Sequence, residues 1–486
     1  MRSIRDNNGR VQLQKTIGIW LSKAAEVLAV PIILIGTASG CGSSAGTDGT
    51  ETVDSVKGEL VSGAQNVSDG IVPNSLVESE TAAVGIGAVL ATAYNAPHAN
   101  GEICHGYGGL GMTVWNGSWH GIRFTPANGS SLFIGDPSIA AYDPGGSSVT
   151  VYVGTLSQSE TWWNAQQKQG DGCISLANFN PAPDQLCVVT ASVPKSGSGA
   201  ITVTNTRCMT PGGSVDGTAL TAVNNTPYIA SWHNSNSVVF YRASDGALLA
   251  SPLTSHTIKG HPIFSKYDNL HLYAPDSAGR FWSASYSTSG GTWVGESGVP
   301  NTYPFQWGST LPFGLRGGRE YSASVLPNDT GPGRFVLAYR DTRGRIVVYT
   351  QSVSGWGLAF TSPAGYSAWH PALEMATFPA PAGQDPPYRS YSLGLTYWDN
   401  MPGSGGSASL KYTIGLSPTP IVLASETPCP HSGYWGDYDE MSVWNNYTAN
   451  PIFYRFITDS TKSACLADTT YWSTNTPQHV SVLSFR

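Results

Sequence analysis

Three observations predict an all-β chain assembled from repeated units. From Glu80 to the end, short runs rich in Val, Tyr, Thr and Trp are separated by Gly, Pro, Asn and Asp, the punctuation of strands and turns. No amphipathic helix of convincing length interrupts them. One opening pattern then recurs seven times: an acidic residue or His, a short alternating strand, a turn, and a second strand ending in an aromatic.

The repeats begin at Glu80, Asp136, Asp216, His261, Glu320, His370 and Asp437, at intervals of 45 to 80 residues. Units of about 40 to 50 residues with several strands each are the mark of a β-propeller, whose blades are four-stranded sheets around a channel. The openings predict seven blades over residues 80–486, with six as the alternative. Longer intervals require inserted loops, chiefly a Cys-rich insertion at about 166–210. Two unrelated β-sandwiches would not repeat one opening across the chain.

Ahead of the repeats, Arg2, Arg5, Arg10, Lys15 and Lys23 lead into an apolar run from Val27 to Ile35 and then small residues up to Gly40. This pattern reads as a signal peptide over 1–40. Ala38-Ser39-Gly40-Cys41 resembles the bacterial lipobox, which implies a diacylglycerol on Cys41, membrane attachment through that lipid, and a place in the cell envelope. With Glu26 before it and small residues after Ile35, the apolar run falls below the ~18 residues of a spanning helix, which counts against a transmembrane anchor. Residues 41–79 contain no aromatic and are rich in Gly, Ser, Thr and Asp, so they read as a flexible tether.

Composition narrows the partners. With 12% charged against 11% aromatic residues, the chain of 486 residues is built for a packed core and not for disorder. The formal charge of −7 becomes −10 once residues 1–40, with five basic and two acidic groups, are set aside. Nucleic acid is thereby an unsuitable partner, since phosphate contacts need basic patches; a monomer is expected.

Apart from Cys41 there are six cysteines, an even set that predicts disulfides in an exported chain. The expected pairs are Cys429 with Cys465 in the final segment, Cys173 with Cys187, and Cys104 with Cys208 as the remainder. No CxxC or HExxH spacing marks a zinc site. No cofactor is expected, a structural cation at the channel mouth being the one exception considered.

Gly135-Asp136-Pro137-Ser138-Ile139-Ala140, Ser287-Thr288-Ser289-Gly290-Gly291-Thr292-Trp293 and Tyr434-Trp435-Gly436-Asp437-Tyr438 resemble secreted bacterial sialidase-like propellers with neuraminidase (Asp-box) repeats. The resemblance covers about Glu80 to Phe485. In the second segment Ser289 stands where the S-x-D-x-G-x-T-W pattern has aspartate. Carried over residue by residue, the resemblance implies Tyr438 as nucleophile, Glu320 as its base, Asp136 as the acid, and Arg123, Arg340 and Arg389 as anchors for a substrate carboxylate.

The blade openings should converge at one end of the channel, bringing His261, His370 and Asp437 into the same site. Trp435 and the pairs Trp162-Trp163, Trp232-His233, Trp369-His370 and Tyr397-Trp398 offer faces on which sugars stack. Two functions remain open at this point: a surface lipoprotein whose propeller binds extracellular glycans or glycoproteins, and a sialidase-like retaining exo-glycosidase. A plainer role for the ring is that each carboxylate accepts hydrogen bonds from the neighbouring blade, as buried polar groups normally do.

Overall fold

The computed structural model describes residues 2–5, 11–14, 65–67, 79–96, 102–104, 109–126, 132–166, 170, 173–175, 183–197, 199–266, 270–305, 320–326, 334–352, 354–378, 390–400, 408–426, 440–444, 452–460 and 478–485. The chain divides into two units, Met1–Glu51 and Thr52–Arg486. In the first, Arg2–Arg5 pairs antiparallel with Val11–Gln14. Cys41 lies outside the described residues.

The second unit holds seven four-stranded antiparallel sheets. Blade 1 consists of Ser79–Ile86, Val89–Asn95, Leu110–Trp115 and Trp119–Arg123, and blade 2 of Leu132–Tyr142, Ser148–Gln158, Gln185–Pro194 and Thr202–Met209. Blades 3, 4, 5 and 6 open with Val215–Val223, Ile263–Phe264, Tyr321–Leu326 and Ser367–Phe378, and each follows chain order outward. Blade 7 has Met441–Trp444, Ile452–Ser460 and Gln478–Phe485, and takes its outermost strand, Gln65–Asn66, from the beginning of the unit. The first strands of successive blades lie side by side all the way round, the seventh against the first. Seven blades therefore close one ring, and six is excluded. The one described helix is the short Glu160–Asn164.

Why the blades stack follows from period-two alternation with both faces buried. In the second strand of blade 2, Val149, Val151 and Val153 pack with Ala91, Ala93 and Met112 of blade 1. Between them Tyr152, with Leu156, points to the other face and packs with Leu220, Ile229 and Val239 of blade 3. An apolar cluster of this kind fills every one of the seven blade-to-blade gaps. Trp293 of the Asp-box-like segment donates to the Ala250 carbonyl at 2.7 Å and packs on Phe240, so it joins blade 4 to blade 3.

Two boundaries differ from the sequence reading. Gln65–Asn66, inside the stretch read as tether, pairs with Ser481 and Val482. Gln185–Pro194 and Thr202–Met209, inside the stretch read as insertion, are the outer half of blade 2; what is inserted is 159–184. The disulfide in this region joins Cys187 to Cys208, which overturns the expected Cys173–Cys187 and Cys104–Cys208 pairs. Those cysteines face each other on adjacent strands, a neighbourhood that spacing along the chain does not reveal. Cys429 and Cys465 lie outside the described residues.

Candidate functional site: the channel mouth

The described opening residues, Glu80, Asp136, Asp216, His261, Glu320 and His370, do gather at one end of the ring, and the backbone there shows how. In blades 1, 2, 3 and 6 the pairing of the first two strands slips by one residue at the opening. The residue at the slip has a left-handed backbone: Glu80 (φ 57°), Asp136 (φ 51°), Gly217 (φ 62°) and His370 (φ 47°). A bulge of this type re-aims a side chain, and for Glu, Asp or His the conformation costs on the order of 1 kcal/mol or more. At Gly217 the close approach adds a second requirement, since a Cβ there would fall 2.2 Å from the His261 ring.

The re-aimed groups clasp neighbouring blades. Glu80 accepts from Asn95 Nδ2 at 2.7 Å and shares a hydrogen bond with Asp136 of the next blade. Asp136 Oδ2 in turn accepts from the Gly217 N–H at 3.2 Å, and its carbonyl accepts from Thr218 Oγ1 at 2.5 Å. Asp216 Oδ2 stands 3.6 Å from His261 Nε2, and the His261 carbonyl accepts from the Tyr321 hydroxyl of blade 5. The Glu320 carboxylate lies near His370 and Arg340 but accepts no hydrogen bond among the described residues, and Arg455 Nη2 donates to the His370 carbonyl at 2.9 Å. Between blades 7 and 1, the Glu440 N–H donates to Thr81 Oγ1 at 3.0 Å and the Ala83 N–H to Glu440 Oε2 at 3.2 Å.

Burial sets the electrostatics of these acids. Glu320, 1% exposed, has its pKa raised by burial, with His370 and Arg340 pulling it down. For Asp136, burial and then the charge of Asp216 raise the pKa, while His261, Glu80 and the Gly217 N–H oppose the rise. Asp216 is the open member, with 55% of its side chain exposed. Among the described residues no group of three or more His, Cys, Asp or Glu could hold a metal ion.

The sialidase-type constellation is only partly brought together. Arg340 Nε lies 3.9 Å from Glu320 Oε2, but that same nitrogen donates to the Ala368 carbonyl at 2.9 Å, and Nη2 reaches Ser367 Oγ at 3.4 Å. The guanidinium is 6% exposed and is used to hold blade 6. Arg123 ends the outermost strand of blade 1, three strands removed from the axis. Tyr438, Asp437, Trp435 and Arg389 lie outside the described residues. Of the proposed sugar platforms, Trp163, Trp369, Tyr397 and Trp398 are buried core.

A charge cluster that the sequence did not reveal lies further down the axis. Lys266, just past the short first strand of blade 4, extends its ammonium to Glu374 of blade 6 at 3.3 Å, Glu440 at 3.6 Å and the Met441 carbonyl of blade 7 at 2.5 Å. One ammonium thus spans the channel between two carboxylates. The only sequence signal is a lysine ending an otherwise apolar run, His261-Pro262-Ile263-Phe264-Ser265-Lys266.

The longest connections lie on the mouth face. On the mouth face the strands are joined through 96–109, 159–184, 299–320, 427–440 and 461–477. On the opposite face the connections run from the two-residue turns Gly87–Ala88 and Asn224–Asn225 up to 379–389. Long connections on a rigid scaffold are where binding groups concentrate.

No family model matches the chain, and no curated protein sequence does. Similar solved structures include AofleA from Arthrobotrys oligospora, at 10% identity over 67% of this chain and 80% of that one with a TM-score of 0.37. Another is the Trypanosoma rangeli sialidase in complex with the inhibitor DANA, at 12% identity over 85% and 55% of the two chains and a TM-score of 0.38. The fucose-specific lectin from Aleuria aurantia is similar at 12% identity, over 72% and 96%, with a TM-score of 0.34.

Proposed function

We propose that this chain is a surface lipoprotein, anchored through Cys41, whose propeller binds extracellular glycans or glycoproteins as a monomer through its mouth face. The observation that carries this reading is the use made of the catalytic candidates. Asp136 serves as a blade clasp, and Arg340, the cation nearest Glu320, is committed to the backbone of blade 6. A hydrolase needs its acid and base free to exchange protons with substrate, whereas a binding face needs only a rigid rim. The mouth connections hold Trp307, Trp435 and Trp472 in sequence, and neutral aromatics bind the apolar faces of sugars.

The exo-glycosidase reading keeps one observation in its favour, the 3.9 Å approach of Arg340 to Glu320, the acid and arginine that the Asp-box resemblance pairs. A glycan array probed with the full chain, beside a screen of chromogenic glycosides, separates the two. Sugar-selective binding without turnover is the expected result, weakened tenfold or more by Trp435→Ala. Turnover abolished by Tyr438→Phe would overturn the binding reading in favour of the glycosidase.

A further inference from the structure

The backbone register places Cys104, at the end of the short strand Glu102–Cys104, opposite Cys173, at the start of Cys173–Ser175. These strands belong to different blades: the first lies in connection 96–109 of blade 1 and the second in connection 159–184 of blade 2, both on the mouth face. Directly opposed residues of antiparallel strands have Cα atoms about 4.5 to 5.5 Å apart, inside the range of about 4.4 to 6.8 Å that a disulfide spans. The same molecule supplies a precedent. Cys187 and Cys208 are also register partners, and they are bonded with Cα atoms 4.0 Å apart.

We infer that Cys104 and Cys173 form a disulfide that staples the mouth connection of blade 1 to the insertion of blade 2. The inference stands apart from the glycan reading and survives its failure. A two-stranded ladder of three residue pairs is marginal by itself in water, so a covalent bond across it adds to the hold that Ile174 has on the core. The staple also fixes Ile174, which with Leu132 covers the buried Trp163. The bond therefore sets where the helix Glu160–Asn164 sits on the rim. It leaves Cys429 with Cys465 as the remaining pair in the sequence, both outside the described residues.

Bond formation takes a dithiol–disulfide oxidoreductase in its oxidised form as the partner reagent. One cysteine thiolate attacks the oxidoreductase disulfide, giving a mixed disulfide and freeing one oxidoreductase thiol. The second cysteine thiolate then attacks the mixed disulfide at the first cysteine's sulfur, closing Cys104–Cys173 and releasing the other oxidoreductase thiol. The two protons lost by the chain appear on the two thiols released, and two electrons pass to the oxidoreductase.

The test is peptide mapping of the full chain, alkylated before digestion and never reduced. The expected result is one linked peptide pair holding Cys104 and Cys173 beside another holding Cys187 and Cys208. An alkylated Cys104 or Cys173, or either residue bonded elsewhere, overturns the inference. As a second measurement, Cys104→Ser/Cys173→Ser should be cleaved within 159–184 by limiting protease at least tenfold faster than the unaltered chain. Equal protection would overturn the role given to the staple.

Discussion

A carboxyl that is almost wholly enclosed, as Glu320 is, responds to pH in a direction that its surroundings dictate. Burial raises its pKa despite His370 and Arg340, and burial with the Asp216 charge raises that of Asp136. Both groups hold protons more tightly folded than unfolded. The stability this confers is fully present below the ordinary carboxylate value of about 4 and is lost as pH rises through the raised folded values. Asp245, paired with Arg242 on the surface, has the opposite sign: its pKa is lowered to about 2, so its contribution is lost as pH falls toward that value. The thermal midpoint should therefore climb on mild acidification from neutral and fall again in strong acid. Glu320→Gln keeps the size and shape of the side chain while removing the charge. It should leave the neutral-pH midpoint unchanged or higher, and flatten the mild-acid climb. Scanning calorimetry across pH checks this; a midpoint several degrees lower at neutral pH would mean that the ionised carboxylate is what the fold uses.

Strands and turns obey local rules, and these were the most legible level of the chain. The alternation Val149, Val151, Val153 against Tyr152 specifies a strand buried on both faces, and that is what the second strand of blade 2 is. The six described openings, Glu80, Asp136, Asp216, His261, Glu320 and His370, each mark the start of a unit because a bulge or strand start must re-aim one polar side chain there. Two turns went unread as a repeat. Asp276 accepts from the N–H groups of Ala278 and Arg280 at 2.8 and 3.0 Å, and Asp341 from those of Arg343 and Arg345 at 2.9 and 3.0 Å. Both are the same D-x-x-G-R turn, with Gly279 and Gly344 at φ 73° and 74°. Cysteine partners were illegible because Cys187 and Cys208 meet across a ladder whose register depends on the whole blade. That bond holds a strand with little else to secure it: most of Thr202–Met209 is exposed. Changing Cys187 and Cys208 together to Ala removes a bridge across a sequence separation of 21. The expected cost is roughly 3 kcal/mol, seen in urea unfolding, with faster amide exchange confined to Thr202–Met209. Unchanged exchange there would mean that its backbone ladder suffices.

At the scale of the whole molecule, contacts that join distant parts of the chain decide the outcome, and these left the faintest trace in the sequence. Lys266 meets a carboxylate 108 residues away, and Asp136 bonds a blade 81 residues on. A carboxylate letter does not tell whether it will face a ligand or the next blade's N–H, so the ring was legible and its use was not. Closure of the ring is the extreme case. Gln65–Asn66 is too short to show a period, and its surroundings rich in Gly, Ser and Asp read as tether. Yet the Val67 N–H donates to the Val480 carbonyl at 2.9 Å, and the fully buried Val67 side chain packs with Val480, Val482 and Phe456 of blade 7 and Leu90 and Tyr94 of blade 1. Burying one such side chain is worth about 1.5 to 3 kcal/mol, and the strand also covers the edge of Gln478–Phe485, which would otherwise stand open to another chain. A chain beginning at Ser79 should consequently lose about 3 kcal/mol or more in guanidinium unfolding and associate in light scattering, whereas Val67→Ala should lose only part of that stability and stay monodisperse. If the shortened chain unfolds at the same denaturant concentration and scatters no more light, the seven inner strands hold the ring shut without help from its outer edge.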